Sequence, residues 1–518
     1  MKMFVKKYAS SIEGILSGFD RLIFRGTLRQ LSHPAGLQGY LNWAGLRLMD
    51  FQKHMVRIST QVKEAAIAAV KSAGRPVIYR PSPKSNKLEL AKAIAQQDRI
   101  KEGPVVMLTS VEPCMSFELR SDPKTHELHL GLARRQCLFL YRYEMHPMFG
   151  LMHMRLQSWF PFQMKVYLNG REWLACQMDR AGLKYKRREN CFVWLEYPSR
   201  AQALAEEQLR MTWAPCLEEC VRRIHPVHAE RFNFYRYYWS LDESEYATDL
   251  MFRDPGLLKR CYPLWVHYGM TTFRSPDVMR FLGQRIPASG IHGRYEGEVV
   301  TDIKTRPEGV RIKHRMDHNS VKMYDKYGLL RIETTLCQTR SFKVFRRPEG
   351  QPQRRADWMR LRKGIADIHR RAKVSLAVNE RYLEALASVD DSTTVKELTD
   401  PLCRRVRWRG QPVRALNPLA LADLQLLRAI SLGEWMLHGF RNRDLRRQLH
   451  GPDSSDGITT KRRSAQVTRQ IRLLRAHGLI RKISGSHRYQ LTNRGRQITS
   501  TLLGLSDASL HRVNKLAA

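Results

Sequence analysis

No apolar run in this chain approaches the length of a membrane-spanning helix, and no signal peptide precedes Phe4, so the sequence is expected to work in the cytoplasm and away from a bilayer. Acidic residues are scarce beside basic ones. The 49 Asp and Glu stand against 89 Lys and Arg, leaving a formal net charge of +40. Cysteine is sparse as well: nine residues, at 114, 137, 176, 191, 216, 220, 261, 337 and 403, scattered and odd in number, which speaks for a reducing compartment and against a disulfide framework. Cys216, Cys220, His225 and His228 lie close together, but a continuous helix could not wrap all four around one ion, and their spacing matches no common zinc module. There is no Gly-x-x-x-x-Gly-Lys loop, no Gly-x-Gly-x-x-Gly after a strand, no His-Glu-x-x-His and no nucleophile elbow, which argues against ATP-driven and dinucleotide-dependent chemistry. Internal repeats and low-complexity segments are absent too.

What is present is a large, basic, globular chain. With 518 residues, 43% hydrophobic content and ten Trp, it can bury a sizeable core and should form more than one domain. A surplus of positive charge this large attracts phosphate backbones and makes binding salt-dependent through counterion release, so nucleic acid is the expected partner. Each Arg cluster taken singly reads as solvated surface; together, with Arg404 and Arg405 among them, they suggest a binding track.

Residues 419–506 carry the most specific pattern. Leu424, Leu427 and Ile430 give a helix, Asn442 is placed to cap a second, RDLRRQL, and from Ser464 a third keeps Val467, Ile471 and Leu474 on one face and stops at Gly478. Leu479 to Ile483 and Arg488 to Leu491, around Ser484-Gly485-Ser486, read as a β-hairpin, with Thr492 capping a closing helix. The other reading of this stretch is a plain α/β lobe. The third helix argues for more, because it turns long donors outward. Arg462, Arg463, Gln466, Arg469 and Arg472, with His487 and Arg488 in the hairpin, are the candidate nucleic-acid contacts. Through LLRAHGLI and RYQLTNRGR the segment resembles MarR-type winged-helix regulators, which implies a winged helix-turn-helix that binds nucleic acid.

The expected fold is α+β: a large multi-lobed body with antiparallel sheets and a C-terminal winged-helix domain. Its parts are an N-terminal α/β region over 1–104, an α+β body over 105–388, a basic linker over 389–418, the winged helix over 419–506 and a tail over 507–518. Short strands are expected over 105–167, mostly helix over 171–282, a second strand block over 298–345 and a long polar helix over 357–387. The aromatic run Phe232 to Trp239 reads mainly as core, with one or two rings free to stack on bases.

In the second strand block, VKMYDK places Lys322, Tyr324 and Lys326 on one face, the two lysines as further candidate nucleic-acid contacts, and LLRIETTL places Arg331, Glu333 and Thr335 together. This block resembles the rolling-circle replication initiators of plasmids and filamentous phages, where a Tyr-acid-Lys strand precedes an Arg-x-Glu strand. The resemblance implies single-stranded DNA across an antiparallel sheet, a divalent ion (Mg2+ or Mn2+) polarising a phosphate, and a tyrosine that attacks it. It makes Tyr324 the candidate nucleophile, with Tyr327 as the other choice, and Glu333 its catalytic partner. Asp20, His153 and Glu333 become candidate metal ligands, with Asp302 as a further carboxylate. His153, Arg155 and Gln157 partly match those enzymes' histidine motif, but Arg155 stands between the outer two and the pair is spaced two residues too widely. Apart from the resemblance, Arg331 and Glu333 read equally as a cross-strand ion pair. The expected function is nucleic-acid binding, DNA first, in a mobile or replicating element, with metal-dependent strand nicking as its enzymatic form. The alternatives are a non-enzymatic binder of structured RNA and a winged-helix transcriptional regulator.

Overall fold

The computed structural model describes residues 1–81, 86–283, 298–306, 309–348, 350–351, 353–387, 389, 395–418, 420–432, 435, 439–452 and 456–506; the expected tail over 507–518 lies outside them. The fold is mixed α and β, with a large sheet and several small antiparallel ones. In chain order the strands are β1 (Ile12–Thr27), β2 (Val77–Tyr79), β3 (Gly103–Ser121), β4 (Leu128–His146), β5 (Gly150–Gln157), β6 (Met164–Asn169), β7 (Tyr185–Arg188), β8 (Cys191–Leu195) and β9 (Tyr238–Phe252). They continue as β10 (Val299–Arg306), β11 (Gly309–Met316), β12 (Asn319–Lys326), β13 (Leu329–Leu336), β14 (Lys343–Arg346), β15 (Asp357–Arg360), β16 (Val406–Trp408), β17 (Gln411–Val413), β18 (Ile480–Lys482) and β19 (Tyr489–Leu491). The chain divides into two compact units. One comprises Met1–Glu13, Thr248–Arg362 and Lys373–Ala518; the other comprises Gly14–Ala247 and Lys363–Ala372.

In the unit built mainly from Gly14–Ala247, β1, β6, β5, β4 and β3 lie side by side, each antiparallel to the next, and β2 joins β3 in parallel. Alternation decides the faces. In β6, Met164, Val166 and Leu168 are buried while Lys165, Tyr167 and Asn169 stay half-exposed; β5 repeats this with Met152, Met154 and Leu156 inside. The helix Phe51–Lys71 buries Met55, Ile58, Val62, Ala66 and Val70, a single stripe at helical spacing. Sequence periodicity places helix over most of 171–282, yet β7, β8 and the long β9 lie there. Asp242, Glu243 and Glu245 interrupt the apolar pattern of β9, and each is matched by charge: Arg21 bonds Glu243 and Glu245, and Arg25 bonds Asp242.

The other unit is built around a meander, β10 to β13, antiparallel throughout. Tyr327 and Gly328 link β12 to β13 with φ of 58° and 83°, the left-handed pair that a two-residue hairpin requires. The expected long helix over 357–387 begins only at Ile368. Residues 357–360 instead form β15 against β14, where Trp358 packs on Phe345 with ring centroids 5.8 Å apart, and Gly364 takes an extended conformation. Past it, Leu421–Ile430, Asn442–His450 and Gly457–Ala476 are helices, β18 and β19 form a hairpin, and Asn493–Ser506 is a closing helix. Leu427, Ile430, Leu445, Val467, Ile471, Leu474 and Ile480 share one core. The residues read as a basic linker join it: Val395–Thr399 is a helix, β16 and β17 pair, and Leu402, Val413 and Leu416 are buried in that same core.

Two helix starts differ from expectation. Asn442 is the first helical residue and not the cap, because the Arg441 amide bonds Asp444 Oδ2 (2.8 Å) and the Asn442 amide group instead bonds the Ser464 carbonyl and Thr468. The third helix starts at Gly457, seven residues before Ser464, because Asp456 accepts from the amides of Ile458 and Thr459.

Candidate nucleic-acid interface

The helix Gly457–Ala476 buries Val467, Ile471, Leu473 and Leu474 and leaves Lys461, Arg462, Gln466 and Arg469 in solvent. These four make a polar strip along one side, all of them long donors. Arg463 is half-buried and reaches the His450 carbonyl (3.5 Å); Arg472 bonds Gln411 Oε1 (2.7 Å), on β17. In the β18–β19 hairpin, Arg481, Lys482 and His487 are exposed. Arg488 is turned inward. It is 7% exposed, donates to the Gly439 carbonyl (3.1 Å) and stacks on Phe345 at 3.8 Å, and burial, followed by the charge of Arg441, pushes its pKa down. Lys461, Arg481 and Lys482 were not singled out from the sequence; in Ile480–Lys482 only Ile480 is buried, a hairpin alternation too short to read. Arg404 and Arg405 are exposed ahead of β16, where the guanidinium groups of Arg409 and Arg475 lie 4.9 and 4.8 Å from the Trp408 ring.

The meander forms a second charged surface within the same unit. Strand register places Asp302, Lys313, Lys322 and Glu333 in one row, and Lys304, Arg311, Tyr324 and Arg331 in the next. Lys322 Nζ and the Tyr324 hydroxyl both donate to Glu333, each at 2.6 Å. Arg331 forms a two-point ion pair with Asp249 of β9 (2.5 and 2.8 Å), with both side chains essentially inaccessible. Burial alone would raise the Glu333 pKa, but the charges of Lys322 and Arg331 and the hydrogen bonds from Lys322 and Tyr324 outweigh it and hold the carboxyl at about 2. Burial, then Lys322, lowers the pKa of Lys313 against the pull of Asp302. Tyr324 is 7% exposed, so its hydroxyl would meet a phosphate only if β12 moved. Lys326 lies 5.5 Å from the ring of the turn residue Tyr327.

Of the residues read as a metal site, Glu333 belongs to this unit and Asp20 and His153 to the other. Asp20 on β1 accepts from Asn190 Nδ2 (2.5 Å). His153 on β5 is stacked between Tyr167 and Tyr143, with ring centroids 4.0 and 4.6 Å away; burial, then the charges of Arg155, Arg21 and Lys87, push its pKa down to about 3. Among the described residues, no group of three or more His, Cys, Asp or Glu stands where it could hold a metal ion. Arg155 bonds Tyr141 and Glu112, and Gln157 bonds the carbonyls of Met115 and Phe160, so both serve the local structure of the sheet. No helix among the described residues is long and apolar enough to cross a membrane. No protein-family model, curated protein or solved structure matches the chain.

Proposed function

We propose that this chain is a duplex DNA-binding protein whose residues 421–506 act as a winged helix-turn-helix, with the helix Gly457–Ala476 as its recognition helix. The observation that carries this reading is the solvent strip of Lys461, Arg462, Gln466 and Arg469 on a helix whose opposite side is core, followed by a hairpin exposing Arg481, Lys482 and His487. A major groove needs such donors, able to reach base edges and phosphates. Arg404 and Arg405 would hold the phosphate backbone, and the net charge of +40 supplies the long-range attraction. The DNA bound would belong to a mobile or replicating element.

The test is gel-shift selection from a randomised duplex library, followed by binding across a salt series with folded RNA as competitor. A selected sequence whose affinity falls when Arg469 is replaced supports the reading. Tighter binding to folded RNA, with no sequence preference in duplex DNA, overturns it in favour of an RNA binder.

One contact favours a second reading, metal-dependent strand nicking. The Tyr324 hydroxyl lies 2.6 Å from the ionised carboxylate of Glu333, a pairing that a tyrosine nucleophile could use. Incubation with supercoiled and single-stranded DNA plus Mg2+ or Mn2+ tests it; the absence of both nicked circles and a covalent adduct on Tyr324 rejects it.

A further inference from the structure

A cavity of about 310 Å³ lies in the unit built mainly from Gly14–Ala247, lined by Arg25, Phe139, Arg155, Gln157, Gln163 and Met115 among others. Its volume is at the lower end of the roughly 300–1,000 Å³ of small-ligand sites. Its charged lining residues are Arg25 and Arg155, which strand register sets on either side of Lys165: Arg25 of β1 pairs with Lys165 of β6, which pairs with Arg155 of β5. Asp242 takes Arg25 (2.7 Å), Lys165 (2.9 Å) and Lys363 (3.6 Å), and Glu112 takes Arg155 (2.8 Å) and Lys87 (3.5 Å), so cations outnumber carboxylates around the cavity.

The donors of the two arginines are incompletely used. Arg25 bonds Asp242 through Nη2 alone, which leaves Nη1. Arg155 spends Nε on Tyr141 and Nη2 on Glu112, which leaves Nη1. Two guanidinium groups with unused N–H donors on one cavity suit the oxygens of a phosphate. The Arg155 guanidinium also lies over Phe139, its Cζ 3.8 Å from the ring centre, and a guanidinium plane is a surface on which bases stack. Gln157 also lines the cavity and is fixed because its Nε2 donates to the carbonyls of Met115 and Phe160, which leaves its oxygen as an acceptor suited to the amino group of a base.

We propose that this cavity binds a phosphorylated nucleotide, with the phosphate on Arg25 and Arg155 and the base between the Arg155 plane and Gln157. That chemistry has two sources: a free nucleoside monophosphate, or the 5′-phosphorylated end of a strand. The inference does not depend on the C-terminal helix.

Calorimetric titration of the full chain with each nucleoside monophosphate and with inorganic phosphate, alongside anisotropy of short single strands bearing a 5′-phosphate or a 5′-hydroxyl, tests it. Arg25→Gln and Met115→Trp are the variants. Met115 is 55% exposed at the cavity, so filling it obstructs entry without touching the ion pairs. The expected result is saturable, phosphate-dependent binding, weakened about tenfold or more by each variant while duplex binding holds and, for Met115→Trp, the melting temperature holds as well. Binding by strands alone assigns the site to a strand end, and binding by free nucleotides alone assigns it to the monomer. Equal affinity for 5′-phosphate and 5′-hydroxyl strands with no uptake of nucleotides, or inorganic phosphate binding as tightly as nucleotides, overturns the proposal. If Arg25→Gln fails to fold, full binding by Met115→Trp overturns it as well.

Discussion

Glu333 is the most heavily committed carboxylate of the meander, held by Lys322 and Tyr324 beside the Arg331–Asp249 pair. Removing one member of so buried a set strands the others. Glu333→Ala is expected to cost roughly 3–5 kcal/mol in chemical denaturation, and Tyr324→Phe, which loses one hydrogen bond, about 1 kcal/mol. Because the folded-state pKa of Glu333 is depressed to about 2, its stabilisation is complete above the ordinary carboxylate range and is lost as pH falls from there through about 2. The face shared by Lys322, Tyr324 and Lys326, and that shared by Arg331, Glu333 and Thr335, were legible in the sequence, since a strand alternates with period two; that Glu333 pairs with Lys322 and Tyr324 instead of Arg331 was not. Asp249 was not: it lies 82 residues from Arg331, and nothing local marks it as a partner. Arg488 was misplaced for the same reason, because Phe345, which receives it, is remote in the chain.

Among elements, the C-terminal helices were the easiest to read, since apolar spacing fixed their inner faces; their starts were set by side-chain caps that spacing does not reveal, Asp456 above all. β9 was read as part of a helical stretch because three carboxylates broke its pattern, and residues 357–367 because the strand partner β14 and the extended Gly364 outweigh helix propensity. On the proposal that the helix Gly457–Ala476 reads duplex DNA, its outward strip and the exposed Arg404 and Arg405 divide the labour. Arg469→Ala should reduce discrimination between duplex sequences in competition gel shifts, whereas neutralising Arg404 and Arg405 together should weaken every sequence alike and flatten the salt dependence. Arg488→Ala, by contrast, should lower melting temperature more than sequence preference. Gly439 tests the hairpin's seat. It has a φ of 62°, and a Cβ there would lie 2.4 Å from the Tyr489 carbonyl oxygen, so Gly439→Ala should destabilise by more than about 1 kcal/mol in thermal denaturation.

For the whole molecule, the net charge of +40 was legible at once, while the division into units was not, because it depends on contacts between segments far apart in sequence. Acid should weaken the fold well before carboxylates titrate. Burial pushes the pKa of His225 down to about 3, that of His314 to about 4 and, with neighbouring charges, that of His153 to about 3. Their neutral rings favour the folded chain fully above the ordinary histidine pKa, and that contribution is lost as pH falls from there through about 4 and 3; for the fully buried His225 the loss by pH 5 is roughly 2 kcal/mol. A melting temperature unchanged between pH 7.5 and pH 5 by circular dichroism would contradict this. The helix Lys2–Lys7 buries Phe4 against Trp265, with ring centroids 5.2 Å apart, and sends Lys7 to the Ala387 carbonyl (3.3 Å). At a synthesis rate of about 5–20 residues per second, this helix emerges roughly 20–75 seconds before Ala387 exists to receive it. Trp265, which covers Phe4, follows the helix after roughly 13–52 seconds at the same rate, so that ring waits exposed, and a slower message lengthens the time during which aggregation competes with folding.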